Sequence, residues 1–175
     1  MTDIQTQLES IIRDVPDFPK PGILFKDITP VLQDAAALRS VIDHFKAHYL
    51  DAGVERIVGI ESRGFIFGTA LAYAMGLGIS LVRKPGKLPA ATTSVDYALE
   101  YGTDTLQMHT DAIEPGMKVL IVDDLLATGG TAAATCQLIE GLGGQVVGCA
   151  FVIELGFLNG SEKLTGKDVY SILRY

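Results

Sequence analysis

Apolar residues in this chain gather into short unbroken runs, and helix-spaced stretches separate those runs. "RIVGI" (56–60), "GISLVRK" (78–84), "MKVLIVDD" (117–124) and "QVVGCAFVIEL" (145–155) carry almost no polar alternation, the pattern of strands covered on both faces. Asp34 is placed to cap a helix whose Leu38, Val41, Ile42, Phe45 and Tyr49 follow helical spacing, ending near "LDAG". A second helix is predicted from Gly64 to about Met75 and a third from Thr131 to about Leu142. Strand and helix alternate, so the pattern predicts an α/β fold: a central, mostly parallel sheet with helices on both faces.

Two segments depart from that alternation. Pro16 to Val31, "PDFPKPGILFKDITPV", holds four prolines and predicts neither a regular helix nor a central strand. From Lys84 to Thr110, a loop leads into "SVDYALEY" and "DTLQMHT" around Gly102, which predicts a hairpin standing off the main sheet. We therefore expect one domain over residues 1–175, with an irregular segment at about 14–32 and a loop and hairpin at about 84–110. Gly64 to Val82 has no charged residue, but Gly76 and Gly78 divide it into pieces too short to span a bilayer, so it reads as core.

Charge narrows the range of partners. Fourteen Lys and Arg against 21 Asp and Glu leave a net charge of −7, so the surface as a whole should repel nucleic acid and anionic membranes. Cys136 and Cys149 lie in apolar runs without metal-ligand or redox spacing and read as buried free thiols. The opening "MTDIQTQLESIIRDV" has neither a basic start nor an apolar centre, so it does not read as a secretory signal. A cytoplasmic location follows as the expectation. His44 and His48 stand one helical turn apart and read as a solvated helix face.

The chemistry concentrates in "KVLIVDDLLATGGTAAA" (118–134), where two carboxylates directly precede a Thr-Gly-Gly-Thr turn at a helix start. Free N–H groups and the helix dipole attract an anion to such a turn, whereas Asp123 and Asp124 repel one. A phosphorylated sugar satisfies both halves. Thr128, Gly129, Gly130 and Thr131 would hold a phosphate, while Asp123 and Asp124 accept from sugar hydroxyls or share a divalent cation. Neither GxxxxGK[ST] nor a helix-opening GxGxxG is present.

"VLIVDDLLATGGT" resembles the phosphoribosyl pyrophosphate signature of the type I phosphoribosyltransferases. "FPKPGILFKDITPVL", "ESRGFIFG", "RKPGKLP" and "YALEYGTDTLQMHTDAIEPG" resemble, in order, blocks of the adenine phosphoribosyltransferase family, and together they cover most of the chain. The resemblance implies the type I fold with a small hood region. It also implies transfer of a phosphoribosyl group from phosphoribosyl pyrophosphate to adenine, giving AMP and pyrophosphate, with magnesium, in a homodimer.

The resemblance also implies roles. Glu61, Ser62 and Arg63 match the pyrophosphate loop, with Arg63 catalytic. Arg83, Lys84 and Lys87 lie in a flexible loop that would close over the reactants. Phe25 would stack on the base, with the backbone of Leu24 and Lys26 reading its edge. Glu100 would manage a proton on the purine and Tyr101 would help close the site. Ala127 stands where enzymes for 6-oxopurines place an aspartate, which favours adenine. Glu61 and Lys26 occupy positions where the family often has Asp and Arg. A transferase for another base and a non-catalytic phosphoribosyl pyrophosphate sensor are the competing readings, and the sensor has no need of Arg63, the lysine loop or Glu100.

Overall fold

A computed structural model describes residues 3–98 and 102–175. Its first half runs α1 (Ile4–Glu9), β1 (Arg13–Pro16), β2 (Leu24–Asp27), α2 (Thr29–Gln33), α3 (Ala35–His48), β3 (Arg56–Ile60), α4 (Arg63–Met75) and β4 (Gly78–Val82). Then follow β5 (Thr92–Ala98), β6 (Thr103–His109), β7 (Lys118–Leu126), α5 (Gly130–Gly141), β8 (Gln145–Glu154) and β9 (Asp168–Arg174). Two short 3-10 turns, Gly156–Leu158 and Gly160–Leu164, link the last two strands.

Five strands form the central sheet in the order β4-β3-β7-β8-β9, and each neighbouring pair is parallel. Side chains alternate across it. Leu120 and Val122 join Val41, Phe45, Phe67 and Leu71 of α3 and α4 on one face, while Val119 and Ile121 join Leu138 and Ile139 of α5 on the other. The predicted helices therefore cover both faces, as the apolar strands require. Asp34 starts α3 as the sequence suggests, its Oδ1 accepting from Ala36 N and Ala37 N at 2.9 Å each. β5 and β6 form the predicted hairpin, tied to the sheet edge where Arg83 exchanges backbone hydrogen bonds with Gln107. Among the described residues, no helix is long and apolar enough to cross a membrane.

Three features differ from the expectation. The proline-rich segment contains regular structure after all: β1 and β2 pair as an antiparallel ribbon, and α2 accommodates Pro30 in its first turn, where the missing N–H costs nothing. β7 continues two residues beyond the acidic pair, to Leu126. β9, an edge strand, is absent from the pattern reading because Asp168, Ser171 and Arg174 break up its apolar residues.

The order of the strands places the site. From β3 the chain passes first to β4 on one side and then to β7 on the other, so the loops leaving β3 and β7 diverge and open a crevice at their carboxyl ends.

Candidate active site

That crevice is a cavity of about 250 Å3, lined by Glu61, Ser62 and Arg63 from the first loop and by residues 123–132 from the second. The sequence-predicted phosphate turn and acidic pair therefore share one cavity with the predicted pyrophosphate loop. Ala127 lines it too. The Glu61–Ser62 peptide is cis, and the chain turns there from β3 into α4.

Each half of the cavity has a built electrostatic character. Gly129 precedes α5 with φ of 77°, so the turn presents the free N–H groups of the helix start to the cavity. Arg63 opens α4 and crosses to β7, where its Nε donates to Asp124 Oδ2. Asp124 is buried, with 4 % of its surface exposed, and the guanidinium supplies its counter-charge. Burial alone would lower the Arg63 pKa, but Asp124 and Asp123 together raise it, so the guanidinium stays charged. Gly64 allows this approach: a Cβ there would stand 2.7 Å from Val122 O and 2.9 Å from Asp123 Oδ1.

Asp123 differs from its neighbour. Desolvation first, and then the adjacent Asp124 carboxylate, push its pKa well above the usual carboxylate range. Its Oδ1 accepts from Asp124 N at 2.9 Å, which an amide oxygen would do equally well. Asp123→Asn should therefore melt at a higher temperature than the parent. Because burial raises the folded-state pKa, the parent loses stability as pH rises from the unfolded value of about 3.9 through the folded one. The asparagine has no such loss, so the gap should widen with pH across that window. Thermal melts at a series of pH values test this, and a variant that melts lower throughout contradicts it.

Two of the three predicted loop cations, Arg83 and Lys84, are held by carboxylates. Arg83 bonds Glu61 through Nη2 at 3.0 Å and Nε at 3.2 Å, and Lys84 N donates to Glu61 Oε2 at 2.9 Å. These bonds, Arg83 foremost, hold the Glu61 pKa below its ordinary value. The carboxylate at position 61 thus fastens the loop base. The Lys84 ammonium pairs with Asp104, and Lys87 is exposed. Glu100 and Tyr101 lie outside the described residues.

The hood is built from β2. Phe25 meets Phe18 edge-on at 5.1 Å between centroids, and the Arg63 guanidinium lies 5.9 Å from its ring. The Lys26 side chain has a structural partner set that the sequence did not suggest. Its ammonium bonds Asp14 at 2.6 Å and lies 4.0 Å from the Tyr175 ring centre. Leu24 and Lys26 line a larger, mostly apolar cavity of about 580 Å3 together with Thr128, Leu155, Phe157, Leu158 and Tyr175. Pattern reasoning missed the last four. Their one signal was large apolar residues continuing past the end of a strand, and Phe157 is 72 % exposed. His48 is exposed, as the solvated-face reading has it, and it also stacks on Tyr170 at 3.8 Å and meets Asp168 at 3.0 Å, bracing α3 against β9.

With the site's geometry in place, its relatives are informative. Residues 31–172 match the phosphoribosyl transferase domain. The adenine phosphoribosyltransferase of Solibacter usitatus is 60% identical over 168 residues, 96% of this chain and 97% of that protein. The crystal structure of the enzyme of that name from Thermoanaerobacter pseudethanolicus superposes with a TM-score of 0.95 at 50% identity, covering 98% of this chain and 99% of its own. That from Saccharomyces cerevisiae, complexed with an imino-altritol bisphosphate and adenine, gives 0.92 at 38% identity, covering 99% and 100%. Identity of this order along nearly the whole of both sequences, over a matching fold, shows that the chain belongs to the adenine phosphoribosyltransferases.

Proposed function

We propose that the chain transfers the 5-phosphoribosyl group of phosphoribosyl pyrophosphate to adenine, giving AMP and pyrophosphate. The observation that carries this is the single cavity in which an anion-binding helix start, an acidic pair and Arg63 converge. Breaking the bond from ribose C1 to the pyrophosphate oxygen leaves positive charge on the sugar and negative charge on the leaving group. Thr128, Gly129, Gly130 and Thr131 hold the 5-phosphate, and Asp123 and Asp124 accept from the ribose hydroxyls. Arg63, with the Glu61–Ser62 backbone beside it, stabilises the leaving pyrophosphate, and Arg83, Lys84 and Lys87 add cations as the loop closes.

The base enters from the hood side. Phe25 stacks on the purine from the pocket that it lines with Val15, Phe18 and Asp27, while the backbone of Leu24 and Lys26 reads the base edge. Glu100 manages the purine proton and Tyr101 helps to close the site. Ala127 leaves no carboxylate to contact the purine 6-position, which suits an amino group.

Magnesium fits this donor set as a guest of the substrate. Among the described residues no three His, Cys, Asp or Glu side chains cluster to hold an ion, so Asp123 or Asp124 would add one protein oxygen to those of the diphosphate and ribose. When bound, the ion neutralises charge on the diphosphate. The proposal includes a homodimer, supported by Ile66, Tyr73 and Leu81 exposed on α4 and on the edge strand β4, with Tyr73 at 90 %. It also includes a cytoplasmic location, in keeping with two buried cysteines that form no disulfide.

The test is direct. The purified protein is mixed with phosphoribosyl pyrophosphate, magnesium and each of adenine, hypoxanthine, guanine and xanthine, and the nucleotides are separated. AMP alone is expected. A different nucleotide would overturn the reading of Ala127 and the hood, and no product with phosphoribosyl pyrophosphate still bound would make the protein a sensor.

A further inference from the structure

Tyr97 is used by none of the roles above, yet it stands between two parts of the site that are distant in sequence. It lies on β5 with its ring against the start of α5, so that a Cβ on Gly130 would stand 3.3 Å from a ring carbon. Its hydroxyl has three partners. Thr131 Oγ1 donates to it at 3.3 Å, Lys84 Nζ donates to it at 3.5 Å, and it donates to Asp104 Oδ2 at 3.3 Å. One O–H and two lone pairs are thereby fully used. Asp104 is also the ion-pair partner of Lys84.

The partners fall into two groups. Lys84, Tyr97 and Asp104 belong to the loop and hairpin, whereas Thr131 belongs to the turn at the head of α5. The bond from Thr131 to Tyr97 is thus a polar link between the phosphate turn and the set that holds Lys84. Thr131 has one hydroxyl hydrogen. If that hydrogen turns to a phosphate oxygen, it leaves Tyr97, and the chain of bonds that reinforces the Asp104–Lys84 pair loses its far end.

We infer that Tyr97 is a positioning residue that couples occupancy of the phosphate turn to release of Lys84 for the pyrophosphate end of the substrate. The inference rests on the phosphate-turn reading given above. Without a phosphate, Thr131 and Tyr97 help to keep Lys84 on Asp104. With one, Lys84 leaves more readily, so the two ends of the substrate reinforce each other. Coupling of this kind is reciprocal: each ligand tightens the other by the same factor.

The two ends can be supplied separately. Calorimetric titration of the whole protein with pyrophosphate and magnesium, with and without saturating ribose 5-phosphate, measures the factor. In the parent, ribose 5-phosphate should tighten pyrophosphate by about fivefold or more, the lower end of ordinary coupling. In Tyr97→Phe, which keeps the ring and its packing, the factor should fall towards one, and pyrophosphate alone should bind more tightly than it does to the parent. A purely structural role would shift the melting temperature or both affinities together and leave the factor unchanged, and that result overturns the inference. So does a parent without coupling. Failure of ribose 5-phosphate to bind the parent at all is a separate outcome, which removes the phosphate-turn reading and the inference with it.

Discussion

Arg63→Ala should lower turnover by about 10²–10³, the usual effect of removing one preorganised donor from a developing negative charge. The geometry gives the reason. Arg63 is held at the first position of α4 by Asp124, at the mouth of a cavity that also takes the phosphate turn, so its charge is in place before the substrate arrives. Because the guanidinium does not have to be gathered from solvent at the moment of bond breaking, its stabilisation falls on the transition state. The substitution also leaves Asp124 buried without its counter-charge, at a stability cost on the order of 1–3 kcal/mol. Arg63→Lys separates the two effects, since it restores a charge near Asp124 without the planar fork that meets two oxygens at once. Turnover should stay well below the parent in Arg63→Lys while the melting temperature recovers. Near-normal turnover of a folded Arg63→Ala protein would sink the assignment of this residue to catalysis.

Local chemistry explains which parts of the molecule were readable beforehand. α3 begins at Asp34 because its carboxylate caps two N–H groups a few residues on, and a sequence displays that directly. The uninterrupted apolar residues of β3, β7 and β8 announce burial on both faces. The phosphate turn and acidic pair are contiguous along the chain, so their shared cavity could be expected before any coordinates. Long-range contacts were not visible in this way. Lys26 was carried over only for its backbone, and its bonds to Asp14 and Tyr175 depend on β1, β2 and the end of β9 meeting in space. The pairing of Arg63, Arg83 and Lys84 with Asp124, Glu61 and Asp104 joins residues 61, 22 and 20 positions apart, and no periodicity encodes it. β9 escaped because its apolar residues are few and broken by Ser171, with Asp168 and Arg174 at its ends, so that no uninterrupted apolar run marks it.

The carboxylate partners change how the cation set works. Arg63, Arg83 and Lys84 each have a counter-ion in the protein, so the ligand-free site does not concentrate unopposed positive charge in a chain whose net charge is −7. On the proposed reading, a pyrophosphate would meet Arg63 in place, with its Nε kept on Asp124, and would have to draw Arg83 and Lys84 from the carboxylates that hold them. The energetic gain is the difference between two sets of ion pairs, which favours a polyanion presenting several oxygens at once over a single carboxylate or phosphate.

Gly129→Ala should be the most damaging single-methyl change in the site. Gly129 has φ of 77°, a conformation that a residue with a side chain adopts at a cost, and the space beside it is already filled. A Cβ there would stand 2.2 Å from the carbonyl oxygen of Gly160, which is backbone and cannot swing aside. Gly160 is caught in the same way, since its own Cβ would lie 2.2 Å from Ala127 O. The phosphate turn and the second 3-10 turn are thus pressed together backbone to backbone, with two glycines at the contact. Forcing the turn open displaces the N–H groups that form the proposed anion site. A local strain of about 1–3 kcal/mol, taken out of phosphate binding, corresponds to roughly a 5- to 150-fold rise in KM for phosphoribosyl pyrophosphate. Gly130→Ala is the comparison. Its φ is not left-handed and its new methyl would meet chiefly the Tyr97 ring at 3.3 Å, which can shift by a few tenths of an ångström, so its effect should be the smaller. Initial-rate kinetics on both variants, with circular dichroism to confirm folding, decide the matter. Equal KM values for phosphoribosyl pyrophosphate in Gly129→Ala and the parent would mean that the turn does not hold the phosphate, whereas a rise confined to that substrate and sparing adenine assigns the anion to the head of α5.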